Sequence, residues 1–371
     1  MASVASSRWA LLPPALFWTI TCGAAAYFAL GAIVDIAGRE AGQGPVWRAA
    51  LLTLHAAAAL PLLAIAPFQF SATLRGRLPR VHRWLGRWPF RLCAWPVVLA
   101  WWLASPTARG ASRDYLRRLQ AAHSVFDREP GVRQSLRHFF AFAETMLDKM
   151  LAIAGRMPPG SLVFSGHEPL LADAARGQGA VIATAHMGCL ELLQTAAGAR
   201  VGGLPVTILV HTAHAQRFNA MLARINPAST VRLMQVTDFA PPTAMRLAER
   251  VAAGEFVAIA ADRVPVQGDR LCRADFLGAP ADFPSGPYLL ASLLRCPLWM
   301  MSCEHEGDGY HARLRPLAAR IELPRGRRDE ALDAYAQRFA DWLESCVRRS
   351  PYDWFNFYPF WERVPHARHS D

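Results

Sequence analysis

The sequence predicts an α/β fold, with a mainly parallel mixed sheet flanked by helices and preceded by an N-terminal helical membrane region. Beyond Arg109, short apolar runs alternate with helical stretches whose apolar residues recur at intervals of three and four positions. This alternation favours parallel strands, because parallel neighbours need long crossover connections that helices usually supply. Before Arg109 the chain contains long stretches without formal charge, which are typical of segments in contact with lipid.

Two uncharged segments make up most of the N-terminal region. The first extends from Trp9 to Val34 and the second from Ala49 to Leu74. Each exceeds the roughly 20 residues that an α-helix needs to span a bilayer, so both are predicted to be transmembrane helices. Prolines interrupt the two segments, and a pair of buried helices is the alternative interpretation.

Basic residues around these segments predict their orientation. The connector between the segments holds Arg39 and Arg48, whereas a denser group follows the second segment: Arg75, Arg77, Arg80, Arg83, Arg87 and Arg91. This asymmetry predicts that the rest of the chain faces the cytoplasm. The next stretch, Leu92 to Ala108, is rich in tryptophan and broken by prolines, so it is predicted to be an interfacial helix.

The alternating region contains short apolar runs that are predicted to be strands. These runs are residues 162–166, 180–185, 206–210, 231–236, 256–261 and 298–303. Helical patterns occupy residues 112–126, 137–155, 189–199, 215–225 and 243–254. In parallel sheets, ligands gather at the carboxyl ends of the strands, so residues directly after a run are candidates for a functional site.

His186 and Glu191 are the strongest candidates for chemistry. Five positions separate them, which on one ideal helix would place them roughly 140° apart. They can therefore meet only if His186 lies on the turn between the run 180–185 and the following helix. Gly188 suits such a turn, because glycine adopts backbone angles that other residues avoid.

A histidine in this position can take a proton from an attacking hydroxyl, while an adjacent carboxylate fixes its tautomer. The resulting oxyanion would need backbone N–H groups at the helix start or a nearby arginine. The spacing alone also leaves open a structural histidine without a catalytic role.

The charge balance favours anionic partners. The chain has 40 basic and 29 acidic residues and a formal net charge of +11, which suits phospholipid headgroups, phosphorylated glycolipids, acidic carrier proteins or nucleic acid. No nucleic-acid recognition motif is present, so no nucleic-acid partner is predicted. The seven cysteines lack a CxxC spacing, and neither His167 with Glu168 nor His211 with His214 matches a metal motif. No metal site is predicted.

Three longer motifs resemble those of a known family. They are HMGCLE at residues 186–191, AADRVPVQGDRLCRADFLGAPADFPSGPYLLA at 260–291 and YDWFNFYPFW at 352–361. From about Trp88 to Trp361 the chain resembles the lipid A biosynthesis (late) acyltransferases of the bacterial inner membrane. More broadly, it is similar to the lysophospholipid and glycerolipid acyltransferases with a His-x4-Asp/Glu motif. The last motif resembles members found in aryl polyene and related glycolipid gene clusters.

A second resemblance covers the front of the chain. Residues 55–87 resemble the opening of an uncharacterised family of small multi-pass bacterial membrane proteins. The two resemblances together imply a membrane anchor over residues 1–88 and an acyltransferase domain with a glycerolipid acyltransferase-like fold over residues 89–371. They also imply a place in the bacterial inner membrane, with the catalytic domain facing the cytoplasm.

The resemblance implies an enzyme that transfers a fatty acyl group from an acyl thioester to a hydroxyl of a membrane lipid or glycolipid. The donor would be acyl carrier protein or coenzyme A, and no cofactor is expected. His186 would act as the general base and Glu191 would orient it. A non-catalytic membrane scaffold that retains the fold is the alternative.

Several further residues are implied to contact the substrates. By the resemblance, Asp262 and Arg263 line the acceptor or oxyanion side of the pocket, and Gly278, Pro280 and Gly286 shape it. The alternative for these residues is a strand-end ion pair followed by ordinary turn residues.

Two features further along leave alternatives open. Arg217 and Asn219 follow another predicted strand end, which is consistent either with a contact to a headgroup phosphate or with a solvated helix surface. The aromatic residues of the motif at 352–361 predict either contact with acyl chains or the bilayer, or a C-terminal segment docked on the core.

Overall fold

A computed structural model of the chain describes residues 79–153, 157, 160–189, 206–210, 231–235, 241–264 and 271–362. The chain divides into two compact units, Met1–Ser105 and Pro106–Asp371. The two predicted transmembrane segments lie outside the described residues. Of the helices that the structure describes, none is both long enough and apolar enough to cross a membrane.

The described part of the first unit is helix α1 (Pro79–Ala104). The stretch predicted as an interfacial helix, residues 92–108, therefore covers the end of α1 and continues past Ser105 into the second unit. Large apolar side chains are exposed on α1 at intervals of three and four residues: Leu92, Trp95, Leu99 and Leu103. Such a stripe is typical of an amphipathic helix.

The second unit contains six further described helices. They are α2 (Pro106–His123), α3 (Val132–Ile153), α4 (Glu168–Ala175), α5 (Pro241–Ala252), α6 (Gly286–Leu294) and α7 (Arg328–Arg349). The predicted helices 112–126, 137–155 and 243–254 correspond to α2, α3 and α5. The predicted helices 189–199 and 215–225 lie outside the described residues.

The main sheet confirms the predicted α/β class. Its strands are β1 (Leu162–Ser165), β2 (Ala180–Thr184), β3 (Val206–Val210), β4 (Val231–Gln235), β5 (Phe256–Ala260), β8 (Leu298–Glu306) and β9 (Gly309–Ala318), in the order β1-β9-β8-β2-β5-β3-β4. All neighbours in this sheet are parallel except β8 and β9, which form an antiparallel hairpin. The sheet is thus mixed and mostly parallel, and all six predicted strands are present.

A second, two-stranded sheet was not among the predicted elements. It consists of β6 (Leu271–Phe276) and β7 (Ala279–Pro284), which pair antiparallel through a tight turn at Leu277 and Gly278. Both turn residues have positive φ, as a two-residue hairpin turn requires. Side chains of α7 accept hydrogen bonds from backbone N–H groups at the outer edge of this hairpin: Asp333, Gln337 and Glu344. These bonds satisfy an edge that would otherwise be free to pair with another strand.

The centre of the main sheet positions the candidate site. Strand β2 is buried along its whole length, because helices cover both faces of a parallel sheet. It pairs in parallel with β5, and Thr184 lies opposite Ala260 in the register. Beyond the paired strands, the Ala261 N–H donates to the Thr184 carbonyl (2.8 Å). The carboxyl ends of β2 and β5 therefore lie side by side.

Candidate active site

His186 and Asp262 meet at this shared edge. Each lies two residues after the end of its strand, β2 or β5. The imidazole Nδ1 of His186 is 2.8 Å from Asp262 Oδ1, and the backbone N–H of His186 donates to Asp262 Oδ2, also at 2.8 Å. The two carboxylate oxygens thus bind one residue through two separate contacts, which fixes both the ring and the backbone that carries it.

The carboxyl group of Asp262 is ionised in this setting. Its side chain is almost completely buried, and burial alone would raise its pKa. The positive charge that His186 carries when it is protonated and the hydrogen bonds from His186 and Trp354 outweigh burial and hold the pKa of Asp262 below its ordinary value. An ionised carboxylate only accepts hydrogen bonds, so Nδ1 of His186 carries the proton.

This tautomer leaves Nε2 of the neutral imidazole as a proton acceptor. The His186 side chain is 38% exposed, whereas that of Asp262 is 1% exposed. The buried carboxylate therefore lies behind the ring, and the ring itself is accessible to a reactant. This is the arrangement of a general base that is oriented by a carboxylate.

Residues Ser350–Tyr358, which we call the C-terminal strap, run alongside the turn that carries His186. The Phe355 N–H donates to the His186 carbonyl, and the Gly188 N–H donates to the Asp353 carbonyl, both at 2.9 Å. Met187 and Trp354 form an antiparallel bridge between these bonds. The aromatic C-terminal segment is therefore docked on the core, as one of the two predictions has it, and contact with acyl chains or the bilayer stays a prediction.

Side chains from α2 and α3 hold the strap in place. Nε2 of His138 donates to the Trp354 carbonyl (2.8 Å), and Nδ1 of His138 accepts from Ser112 Oγ (3.1 Å). Burial lowers the pKa of His138 to about 4, although the bond to Trp354 and the charge of Asp353 oppose that shift, so the ring is neutral near pH 7. The Tyr115 hydroxyl donates to the Pro351 carbonyl (2.8 Å).

A second histidine–aspartate pair anchors the strap to β8. Nδ1 of His305 is 2.7 Å from Asp353 Oδ1, and the His305 N–H donates to Asp353 Oδ2 (2.6 Å), which repeats the geometry of His186 and Asp262. Asp148 lies 3.8 Å from the other ring nitrogen and accepts a hydrogen bond from Tyr310. Burial opposes protonation, but the two carboxylates raise the pKa of His305 to about 9.

The structure also describes four further residues that were predicted to contact the substrates. Arg263 is exposed, donates to the Phe355 carbonyl (3.1 Å) and lies over the Tyr358 ring, 5.8 Å from its centroid. Gly278 and Pro280 are exposed in the β6–β7 hairpin. A Cβ added at Gly278 would point into open space. Gly286 begins α6, and a Cβ there would lie 3.7 Å from Ile259 of β5.

Three predicted residues, Glu191, Arg217 and Asn219, lie outside the described residues. Their roles stay predictions. Within the part of the chain that the structure describes, no group of three or more histidine, cysteine or acidic side chains has the arrangement of a metal site.

A comparison with family models adds to this geometry. The model of the bacterial lipid A biosynthesis acyltransferases matches residues 123–363. The chain belongs to this family. The matched range includes His186, Asp262 and the whole C-terminal strap, and it confirms the family resemblance seen in the sequence motifs. A comparison with curated proteins gives no significant match.

Membership of the lipid A acyltransferase family supports acyltransferase activity, with an acyl donor and a lipid acceptor as the general substrates. It gives His186 a chemical context that the isolated motif lacks. The family match by itself does not assign roles to individual residues. The contacts of His186 supply the basis for such an assignment.

The sequence did not predict that Asp262 pairs with His186 or that Trp354 binds Asp262. The signal that could have paired His186 with Asp262 was their position relative to the predicted strands. Both His186 and Asp262 directly follow predicted strands of a parallel sheet, and the ends of such strands converge on one edge. Trp354 carries no comparable signal, because it lies in a segment without regular structure.

Proposed function

We propose that this family member transfers a fatty acyl group from an acyl thioester to a hydroxyl group of a membrane lipid or glycolipid, with His186 as the general base. The observation that carries the proposal is the accessible imidazole whose Nδ1 is held by the buried carboxylate of Asp262. The family match supports a lipid acceptor.

The reaction needs one proton acceptor and no nucleophile from the protein. Nε2 of His186 takes the proton of the acceptor hydroxyl as its oxygen attacks the thioester carbonyl carbon, which forms a C–O bond and a tetrahedral oxyanion. The C–S bond then breaks, and the imidazolium returns the proton to the leaving thiolate. The products are an ester and a free thiol, and His186 is neutral again.

Two carboxylates are candidates for orienting His186. Asp262 contacts Nδ1 directly, and its ionised form stabilises the imidazolium that develops during attack. Glu191 is the acidic residue of the His-x4-Glu motif, and we retain it as a predicted catalytic residue. Since Asp262 occupies Nδ1 and the proton transfer needs Nε2 free, a catalytic Glu191 would have to share Nδ1 with Asp262 or stabilise the imidazolium through its charge.

The oxyanion needs hydrogen-bond donors. Two backbone N–H groups beside His186 are already engaged, since Met187 donates to the Ala185 carbonyl and Gly188 donates to the Asp353 carbonyl. Arg263 follows Asp262 directly and donates one of its five N–H groups to the strap. We therefore propose Arg263 as a cationic donor on the oxyanion or acceptor side.

The other substrate assignments are also proposals. The net charge of +11 suits an acidic acyl carrier protein or coenzyme A as donor and an anionic membrane surface. The exposed apolar stripe of α1 fits contact with such a surface, in the bacterial inner membrane with the catalytic unit on the cytoplasmic side. Arg217, Asn219, Gly278, Pro280 and Gly286 remain proposed substrate contacts.

The test uses the full-length protein in detergent or vesicles, with acyl carrier protein or coenzyme A thioesters and a bacterial lipid extract. Mass spectrometry detects the acylated lipid, and a thiol assay detects the released carrier. Removing a general base typically costs about 100- to 10,000-fold in rate, so we expect this loss for His186→Ala. The matched control is His311→Ala, because the His311 ring contacts Ser165 and Glu306 instead of Asp262.

Retention of lipid acylation by a folded His186→Ala protein would falsify the assignment. The scaffold alternative makes a different prediction, because a scaffold supports its cellular role equally well with His186→Ala. Mass spectrometry of lipids from cells with and without the gene, complemented by either version, separates the two and identifies the acceptor.

A further inference from the structure

We infer that Trp354 is a positioning residue for the reaction, because its indole N–H holds the carboxylate that orients His186. This inference rests on the proposed function, since it concerns the same base. The indole Nε1–H donates to Asp262 Oδ2 at 2.9 Å, within a fully buried contact. Trp354 touches no substrate in this assignment and acts through Asp262.

The division of hydrogen bonds on Asp262 explains why this donor matters. Oδ1 accepts from the imidazole Nδ1, whereas Oδ2 accepts from the His186 backbone N–H and from the Trp354 indole. With two donors on one oxygen, rotation of the carboxylate about χ2 breaks two hydrogen bonds, of which the one from the Trp354 indole is buried. The indole therefore keeps Oδ1 directed at the ring.

Trp354 is itself rigidly held. Its side chain is 1% exposed and makes edge-to-face contacts with Tyr115, Phe276 and Phe360, whose ring centroids lie 5.0 to 5.3 Å away. Its carbonyl accepts the hydrogen bond from His138. A donor fixed at both its ring and its backbone loses little conformational freedom in holding Asp262.

The contact also favours the ionised carboxylate. A hydrogen bond to a charged group in a buried site is stronger than one between neutral groups. Tyr358 adds a further bond to the same residue, because its hydroxyl donates to the Asp262 carbonyl at 3.1 Å. The strap thus binds Asp262 through the side chain of Trp354 and the hydroxyl of Tyr358.

The experiment removes the N–H and keeps the ring. Incorporation of benzothienylalanine at position 354 replaces the indole N–H by sulfur at nearly the same size, and Trp354→Phe is the simpler companion variant. A charge-assisted hydrogen bond contributes enough to change kcat by about 10- to 100-fold, and we expect that loss with a KM changed less than about threefold. The matched control is Trp342→Phe, which shrinks another buried indole in α7.

The outcomes separate packing from positioning. A loss of kcat in the benzothienylalanine protein, with wild-type kcat in Trp342→Phe, supports the inference. Wild-type kcat in the benzothienylalanine protein overturns it, even where Trp354→Phe is unstable, because the ring then suffices. Inactivity of His186→Ala combined with full activity of the benzothienylalanine protein would leave the proposed function standing and reject the role of Trp354.

Discussion

A Cβ atom on Gly188 would lie 1.6 Å from the carbonyl oxygen of Cys303, so the turn that carries His186 passes directly against strand β8. Gly188 also has a φ of +58°, in the left-handed region that residues with side chains rarely adopt. The expectation of a turn glycine beside His186 is thereby confirmed. The close approach fixes how the turn sits on the sheet.

Gly188→Ala should therefore disrupt both stability and catalysis. The added methyl group forces the turn away from Cys303 and displaces His186 from Asp262. Backbone strain and steric overlap together should lower the free energy of unfolding by about 2–4 kcal/mol, and kcat should fall with it. Denaturant unfolding and steady-state kinetics measure the two effects.

Gly307→Ala is the matched control for this prediction. Gly307 has a nearly identical φ of +59°, but no atom lies within 4 Å of the position of its Cβ. This variant should show only the left-handed strain, about 1–2 kcal/mol, with wild-type kcat. Equal effects of the two substitutions would contradict the importance of the contact with Cys303.

Asp262→Asn should lower kcat about as much as His186→Ala. An amide at position 262 no longer stabilises the imidazolium and can donate to Nδ1, which favours the wrong tautomer, and such a change costs about 10,000-fold in a well-studied triad. The double variant should be no slower than the worse single variant, because the two residues act as one unit. Steady-state kinetics of the three proteins test this, and additive losses would argue for independent roles.

Glu191→Gln belongs in the same series. A loss comparable with that of Asp262→Asn would support a second orienting carboxylate, as the His-x4-Glu motif predicts. Near wild-type kcat for Glu191→Gln would leave Asp262 as the carboxylate that acts on His186.

The sequence was sufficient to predict the strands that position the site. The runs 180–185 and 256–261 consist of small and apolar residues, and both are strands in the structure. Their contact was not predictable, because β3 and β4 intervene in the sequence and 76 positions separate His186 from Asp262. The order of the strands follows from the packing of the whole sheet, and the local pattern of apolar residues does not encode that order.

The unpredicted strands had weaker signals for a physical reason. Along β6, buried residues alternate with exposed Arg273 and Asp275, so the segment lacks the continuous apolar run of a central strand. The contact of Trp354 with Asp262 was harder still to predict from the sequence. Trp354 reaches Asp262 from a distance of 92 positions, and neither its neighbours nor its spacing indicate a partner.

His138 should make the protein acid-sensitive. Its pKa is about 4 in the folded state, mainly because of burial, against about 6.5 when unfolded. The unfolded chain therefore binds the extra proton between these values, so stability is complete above pH 6.5 and falls by up to about 3 kcal/mol as the pH drops towards 4. His138→Gln should be less stable at pH 7 but lose less on acidification. Denaturant unfolding at several pH values measures both, and an unchanged acid slope would contradict the prediction.

His305 should limit stability on the alkaline side. Its folded pKa is about 9, since the hydrogen bonds and charges of Asp148 and Asp353 outweigh burial, and its ordinary value is about 6.5. The folded state binds the extra proton between these values. The stabilisation is thus complete below pH 6.5 and disappears as the pH rises through 9, with a loss of about 2 kcal/mol once partial exposure of the ring is allowed for. The neighbouring Tyr310 hydroxyl stays protonated over this range, because burial raises its pKa far above 10.

Unfolding of His305→Gln between pH 6 and 9 should show a flatter dependence of stability on pH than the wild type, whereas His138→Gln should keep the wild-type dependence there. Because His305 anchors Asp353 beside the Gly188 turn, kcat of the wild-type protein should decline over the same interval in which His305 loses its proton and its ion pair with Asp353 is lost.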